Sequence, residues 1–182
     1  MKKSRVKDVF VGVTILAVCA VLLALQPTPT KVRVGTFDSR AIALAYARSA
    51  MFAADRAPVM KDLEDRYEKA KAEKNEQVIK ELEARPPTYH KLQMLQCFST
   101  ASVADILEKV KDQLPKVAQE AGVDMIVSKW EIAYSNSTSE IVDVTSHLVK
   151  LFNPDEQTLK LIEGLSKQPP MPLLEVLLSK EG

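Results

Sequence analysis

The stretch VDMIVSKWEIAYSNSTSEIVDVTSHLVKLFN, Val123 to Asn153, holds two short apolar runs, a polar loop and a capped amphipathic segment. Asp124–Ser128 and Glu131–Ser135 read as two strands meeting at Lys129-Trp130, a small β-hairpin. Thr145 reads as the N-cap of the next helix, with Val144 and Val149 as a hydrophobic staple around it. Leu148, Val149, Leu151 and Phe152 give that helix one apolar face. A hairpin alone is marginal in water, whereas three strands under a helix hold. The third strand is supplied near the other end of the chain by VRVGTF, Val32–Phe37, followed by Asp38-Ser39 as a helix cap.

Between these strands almost everything reads as helix. Ala41–Ala54 is alanine-rich, and Ala57-Pro58 is expected to break it and start another helix. Pro58–Ala84 then carries a thin apolar seam of Met60, Leu63, Tyr67, Ala70, Val78 and Leu82, interrupted at Lys74. Charges of both signs fill its other faces, a coiled-coil-like pattern. Arg85-Pro86-Pro87-Thr88 reads as a tip, and a second helix returns through Val103, Leu107, Val110, Leu114, Val117 and Ala121 to a C-cap at Gly122. Pro58 and Pro115 lie at similar distances from that tip, which suggests paired kinks forming a joint across the arm.

The fold class that follows is α+β: a small β body (31–54 and 122–153) with an inserted long antiparallel helical hairpin, a coiled-coil arm over 55–121. Such a body is thin on core and is expected to oligomerise. Residues 154–182 form a C-terminal helical tail. It has a capped helix with Leu159, Ile162 and Leu165 on one face, then the rigid spacer Gln168–Pro172 and a short apolar helix, Leu173–Lys180.

Residues 1–30 read as a targeting segment plus spacer. Lys2, Lys3, Arg5 and Lys7 precede an uncharged apolar run from Val9 to Leu25, long for a signal peptide and short for a membrane span. Both an uncleaved anchor and a cleaved signal fit, and Cys19 leaves lipidation open, with Val18 a poor residue to precede a lipidated cysteine. In each case the positive end stays cytoplasmic and the rest of the chain is exported. Cys97 is then the one exported thiol, so the fold owes nothing to an intrachain disulfide.

The near-neutral net charge of +1 gives no reason to expect nucleic acid as a partner. No nucleophile elbow, phosphate loop or paired-acid motif occurs, so no catalytic, cofactor-binding or metal-binding residue is assigned and no cofactor is expected. His90 and Cys97 share a helix face but have too few companions for a metal, and His147 reads as solvent-exposed. Trp130 reads as packing on the body or a neighbouring subunit rather than gripping a partner, and the Leu173–Leu178 helix as packing on the body rather than on a membrane or partner.

The leading block VGTFDSRAIALAY and the closing block EKVKDQLPKVAQEAGVDMIVSKWEIAYSNSTSEIVDVTSHLVK resemble the Skp (OmpH-type) periplasmic chaperones. The matching points are Gly122, Val123 and Asp124, then Ala133-Tyr134, then Asp143-Val144-Thr145, and the resemblance spans about Lys31 to Asn153. It implies a homotrimer whose helical tentacles surround a cavity that holds unfolded outer-membrane proteins without ATP. It also implies a periplasmic location, tethered to the inner membrane through residues 9–25 if that run is uncleaved. Two features depart from the family. Family arms are often strongly basic, whereas Ser39–Gly122 carries fourteen basic and thirteen acidic residues. The tail after Asn153 has no counterpart in the family pattern. A second reading stands beside the holdase: a membrane-anchored coiled-coil structural or assembly protein with a fixed partner. An enzyme is not expected.

Overall fold

The computed structural model describes residues 31–136 and 139–179. The basic and apolar segment 1–30 lies outside the described residues. Everything below belongs to the compact unit that begins at Val32.

Three strands form one sheet in the order β2-β1-β3: β1 is Arg33–Phe37, β2 Met125–Ser128 and β3 Glu140–Asp143. Both outer strands run parallel to β1, with Val34 opposite Met125 and Ile141, and Gly35 opposite Ile126 and Val142. The chain is thus a mixed helical protein around a small parallel sheet. The expected β-hairpin is corrected. Glu131–Ser135 forms no strand; Lys129–Glu131 is a single 3-10 turn begun by Ser128, whose Oγ accepts from the Trp130 N–H. A tight hairpin turn needs residues at ease with positive φ, and Lys129-Trp130 offers neither glycine nor asparagine. β1 has two open edges, and Glu140–Asp143 takes the second.

The two sheet faces differ. Gly35, Phe37, Ile126 and Val142 turn toward the core. Gly35 is there by necessity: a Cβ would lie 3.0 Å from Val123 Cγ2 and 3.2 Å from both the Met125 carbonyl oxygen and Val144 Cγ1. On the other face Met125 and Ile141 flank Val34 and remain 48% and 45% exposed.

Asp38 ends β1 and caps helix α1 (Ser39–Ala47), accepting from the Arg40 N–H. Ser49 caps helix α2 (Ala50–Ala72), which contains Pro58 without ending there. The expected break at Ala57-Pro58 therefore does not occur; a single missing N–H costs one helical bond among many. Nor is Pro58–Ala84 continuous. Lys74 takes φ 53°, the Asn75 N–H donates to the Ala70 carbonyl, and Asn75 Oδ1 then caps helix α3 (Glu76–Glu83). Across this turn Tyr67 Oη meets Glu83 Oε1 at 3.2 Å, and Leu63, Ala70 and Leu82 are buried.

Helix α4 (Arg85–Phe98) follows directly, with Pro86 and Pro87 in its first turn. The two prolines start a helix rather than stop one, since the first turn has no N–H bond to lose. The chain reverses at Lys74, not at the prolines. After Phe98 the expected returning helix is broken into α5 (Ala104–Glu108), a 3-10 turn (Lys111–Gln113) and α6 (Leu114–Ala121). The apolar repeat survives the breaks: Val103, Val110 and Val117 are all buried, in one cluster with Ile42, Val144 and Leu148. Residues 103–121 thus belong to the core of the body rather than to an arm. Pro115 opens α6 instead of interrupting a helix, which removes the paired-kink joint. Gly122 ends α6 at φ 62°, as the sequence predicts.

Helix α7 (Thr145–Lys150) has Val144 at its cap position, one residue before the expected Thr145. Thr145 Oγ1 instead accepts from the Asp38 N–H at 3.0 Å, fastening α7 to the start of α1. Helix α8 (Glu156–Ser166) is capped by Asp155 and packs on α1, and helix α9 (Leu173–Leu178) packs on α4. Among the described residues, no helix is long and apolar enough to cross a membrane.

Candidate functional site: an apolar crevice at the root of the helix pair

Where α2 and α4 leave the body they enclose a crevice of about 340 Å³, floored by α1 and α5. Phe52, Val59 and Met60 from α2 face Tyr89 and Leu92 from α4, with Cys97 and Ile106 deeper in. Phe52, Val59 and Met60 share a helix face because seven and eight residues make two turns. Tyr46 on α1 anchors the inner end, edge-to-face with Phe52 at 5.3 Å and Phe152 at 5.9 Å.

Five of the polar side chains around this crevice, Tyr46, Asp55, Lys109, Gln96 and Asp105, are bonded to one another in two groups. Tyr46 Oη donates to Asp55 at 2.8 Å, and Lys109 Nζ pairs with the same carboxylate at 2.9 Å. Burial and then the Asp55 acceptor push the Tyr46 hydroxyl up to about 12. The Lys109 and Tyr46 donors hold Asp55 below the usual carboxylate range, and Asp55 in turn raises Lys109. Gln96 Nε2 donates to Asp105 Oδ1 at 2.9 Å and to the Ser102 carbonyl at 3.1 Å. A site arranged this way can bury apolar side chains, with Arg56, His90 and Gln93 among the polar side chains of its lining that are outside these two groups.

His90 and Cys97 both line the crevice, as their shared face suggests. No group of three or more His, Cys, Asp or Glu able to hold a metal occurs among the described residues. Cys97 is 5% exposed, and burial pushes its thiol up to about 11, away from nucleophilic chemistry.

A second cluster lies at the carboxyl ends of the strands, where open α/β sheets often build ligand sites. Here Asp38 receives Arg40 Nε at 3.1 Å, Arg40 Nη2 at 2.8 Å and Lys129 Nζ at 2.8 Å. Burial acts to raise the Asp38 carboxyl, and the Arg40 and Lys129 hydrogen bonds outweigh it and hold the group below its ordinary value. Trp130 lies under both cations, 5.1 Å from Arg40 Cζ and 4.4 Å from Lys129 Nζ. It packs within the body, as expected. Arg40 Nη1 donates to the Gln168 carbonyl at 3.0 Å. One carboxylate is shared by two cations, and the bonds of the cluster tie β1, α1, the turn after β2 and the tail together, so it is a lock between elements.

Compared with known proteins, the chain matches no family model, no curated protein and no solved structure.

His147 is half-buried rather than exposed, with its Nδ1 unpartnered. Sequence reasoning assigned no site residues and missed the crevice. From sequence, Met60 belongs to the seam of Pro58–Ala84, whereas Phe52 in Ala41–Ala54 and Val59 in Pro58–Ala84 are assigned to no face. The available signal was the spacing of Phe52, Val59 and Met60. What hid it was the assumed break at Pro58, which split that face between two helices.

Proposed function

We propose that this chain is an ATP-independent holdase, a non-enzymatic chaperone that binds unfolded outer-membrane proteins in the periplasm and keeps them from aggregating. In this reading α2 runs out and α3–α4 run back as an antiparallel arm, and three copies set their arms around a shared cavity. Residues 9–25 would tether the assembly to the inner membrane if they are retained.

The observation that carries the reading is the crevice: open, mainly apolar, with Asp55 and Lys109 at its border already paired. Such a surface favours apolar segments without reading their sequence, which suits a binder of many unfolded chains. The trimer draws support from the sheet. Parallel sheets are ordinarily covered on both faces. Here Val32, Met125 and Ile141 are about half exposed, and Tyr134 on the neighbouring irregular segment is 84% exposed. β2 and β3 also keep an open edge each, and exposed edges invite pairing with another chain.

One observation favours the second reading, a membrane-anchored scaffold with a fixed partner. Leu63, Ala70 and Leu82 close the far part of the arm into a packed seam rather than leaving it splayed. The two readings separate in one assay. A urea-unfolded outer-membrane barrel protein is diluted into the chain and its aggregation is followed by light scattering. The holdase reading expects suppression at stoichiometric ratios, lost in Met60→Asp and Leu92→Asp. Unchecked aggregation with the parent protein leaves the scaffold.

A further inference from the structure

The tail touches the body first and α4 afterwards. Arg48 Nε donates to Thr158 Oγ1 at 2.9 Å, and Thr158 is fully buried, seating α8 on α1. Arg40, locked by Asp38, then takes the Gln168 carbonyl. Three residues later the Met171 N–H donates to the carbonyl of Phe98, the last residue of α4, at 2.9 Å. Val176 is 1% exposed in α9, which packs on α4, and Lys91 Nζ reaches the Ser179 carbonyl at 3.3 Å. Pro169 and Pro170 stand between the two attachments and Pro172 follows, so the connection is stiff.

We infer that residues 168–179 are a brace that holds α4 against the body and thereby fixes one wall of the crevice. α4 needs one. Its own buried residues are Gln96 and Cys97, both in its last turn, and its first three turns bury no residue fully. Those turns carry Tyr89 and Leu92, which form the crevice wall. Arg40 gives the brace a rigid foot, because its guanidinium is oriented by a buried carboxylate rather than free to follow the tail. The inference concerns the wall itself and holds whichever ligand enters the crevice.

The test is amide hydrogen exchange, read by mass spectrometry on the full chain and on two variants. Val176→Asp puts a charge into the α9–α4 contact, and Met171→Pro removes the N–H that bonds Phe98. The brace predicts that exchange across Tyr89–Phe98 speeds up by about ten-fold in both, while Arg33–Phe37 keeps its parent rate. Parent rates throughout α4 in both variants would overturn it. So would equal acceleration of α4 and β1 in both, since the tail would then be one more part of a single cooperative core.

Discussion

Asp38 and Arg40, two residues apart, close a two-pronged ion pair at 3.1 and 2.8 Å while the same carboxylate caps α1. Both side chains are almost wholly buried. Removing one partner of such a pair strands the other. Asp38→Asn keeps a capping side chain but leaves Arg40 without its counter-charge, and should cost about 3 kcal/mol at pH 7. The folded-state carboxyl is held below its ordinary value, so folding favours the ionised form. Its contribution is complete above about pH 4 and fades as pH falls through the folded value. Denaturant melts of the two proteins should therefore converge at acid pH; a gap that stays constant down to pH 2 would assign the loss to packing alone.

Two glycines should respond to alanine with opposite signs. Gly35→Ala drives a methyl against Val123, Val144 and the Met125 backbone in the sheet's covered face, and should cost about 1–3 kcal/mol. Gly164 lies inside α8 with nothing within 4 Å of an added Cβ, so Gly164→Ala should gain roughly 0.5–1 kcal/mol. Thermal unfolding of both variants checks this, and a stabilised Gly35→Ala would mean the sheet does not pack on its helices as described.

How much of this was legible in the sequence depends on which residues are asked. Asp38 as a cap, Gly122 as a left-handed stop and the Val103–Val110–Val117 period are local signals, and each stands in the structure. Strand pairing is not local. Glu131–Ser135 has the composition of a strand, but β1 is already flanked by Met125–Ser128 and Glu140–Asp143, and alternation says nothing about partners. The turn at Lys74 was half visible. Lys74 breaks the seam and Asn75-Glu76 is a cap with an acidic first turn, yet Pro86-Pro87 is the louder stop in the sequence and reads as the tip. The crevice went unread because it joins faces of α2 and α4 that only the reversal at Lys74 brings together.

Cys97 lines the crevice from its buried end, with its thiol pushed up to about 11. At pH 8 a disulfide reagent should label it at least about 100-fold more slowly in native protein than in denaturant, because reaction must wait for opening. Labelling within a few-fold of the denatured rate would show that reagent enters the crevice freely.

The half-exposed sheet face makes its own prediction. Met125→Glu and Ile141→Glu place a charge where the structure leaves room for one, so neither should unfold the protein. If that face meets other copies, each variant should lower the particle mass while circular dichroism stays at the parent signal. An unchanged mass would move the contact to the open strand edges or to Tyr134.

The most direct measurement is the light-scattering mass of the Thr30–Gly182 fragment, alone and mixed with a urea-diluted outer-membrane barrel protein. The expected result is a trimer that holds the barrel protein soluble in a complex of fixed stoichiometry. A monomer or dimer that leaves the barrel protein to aggregate would contradict it.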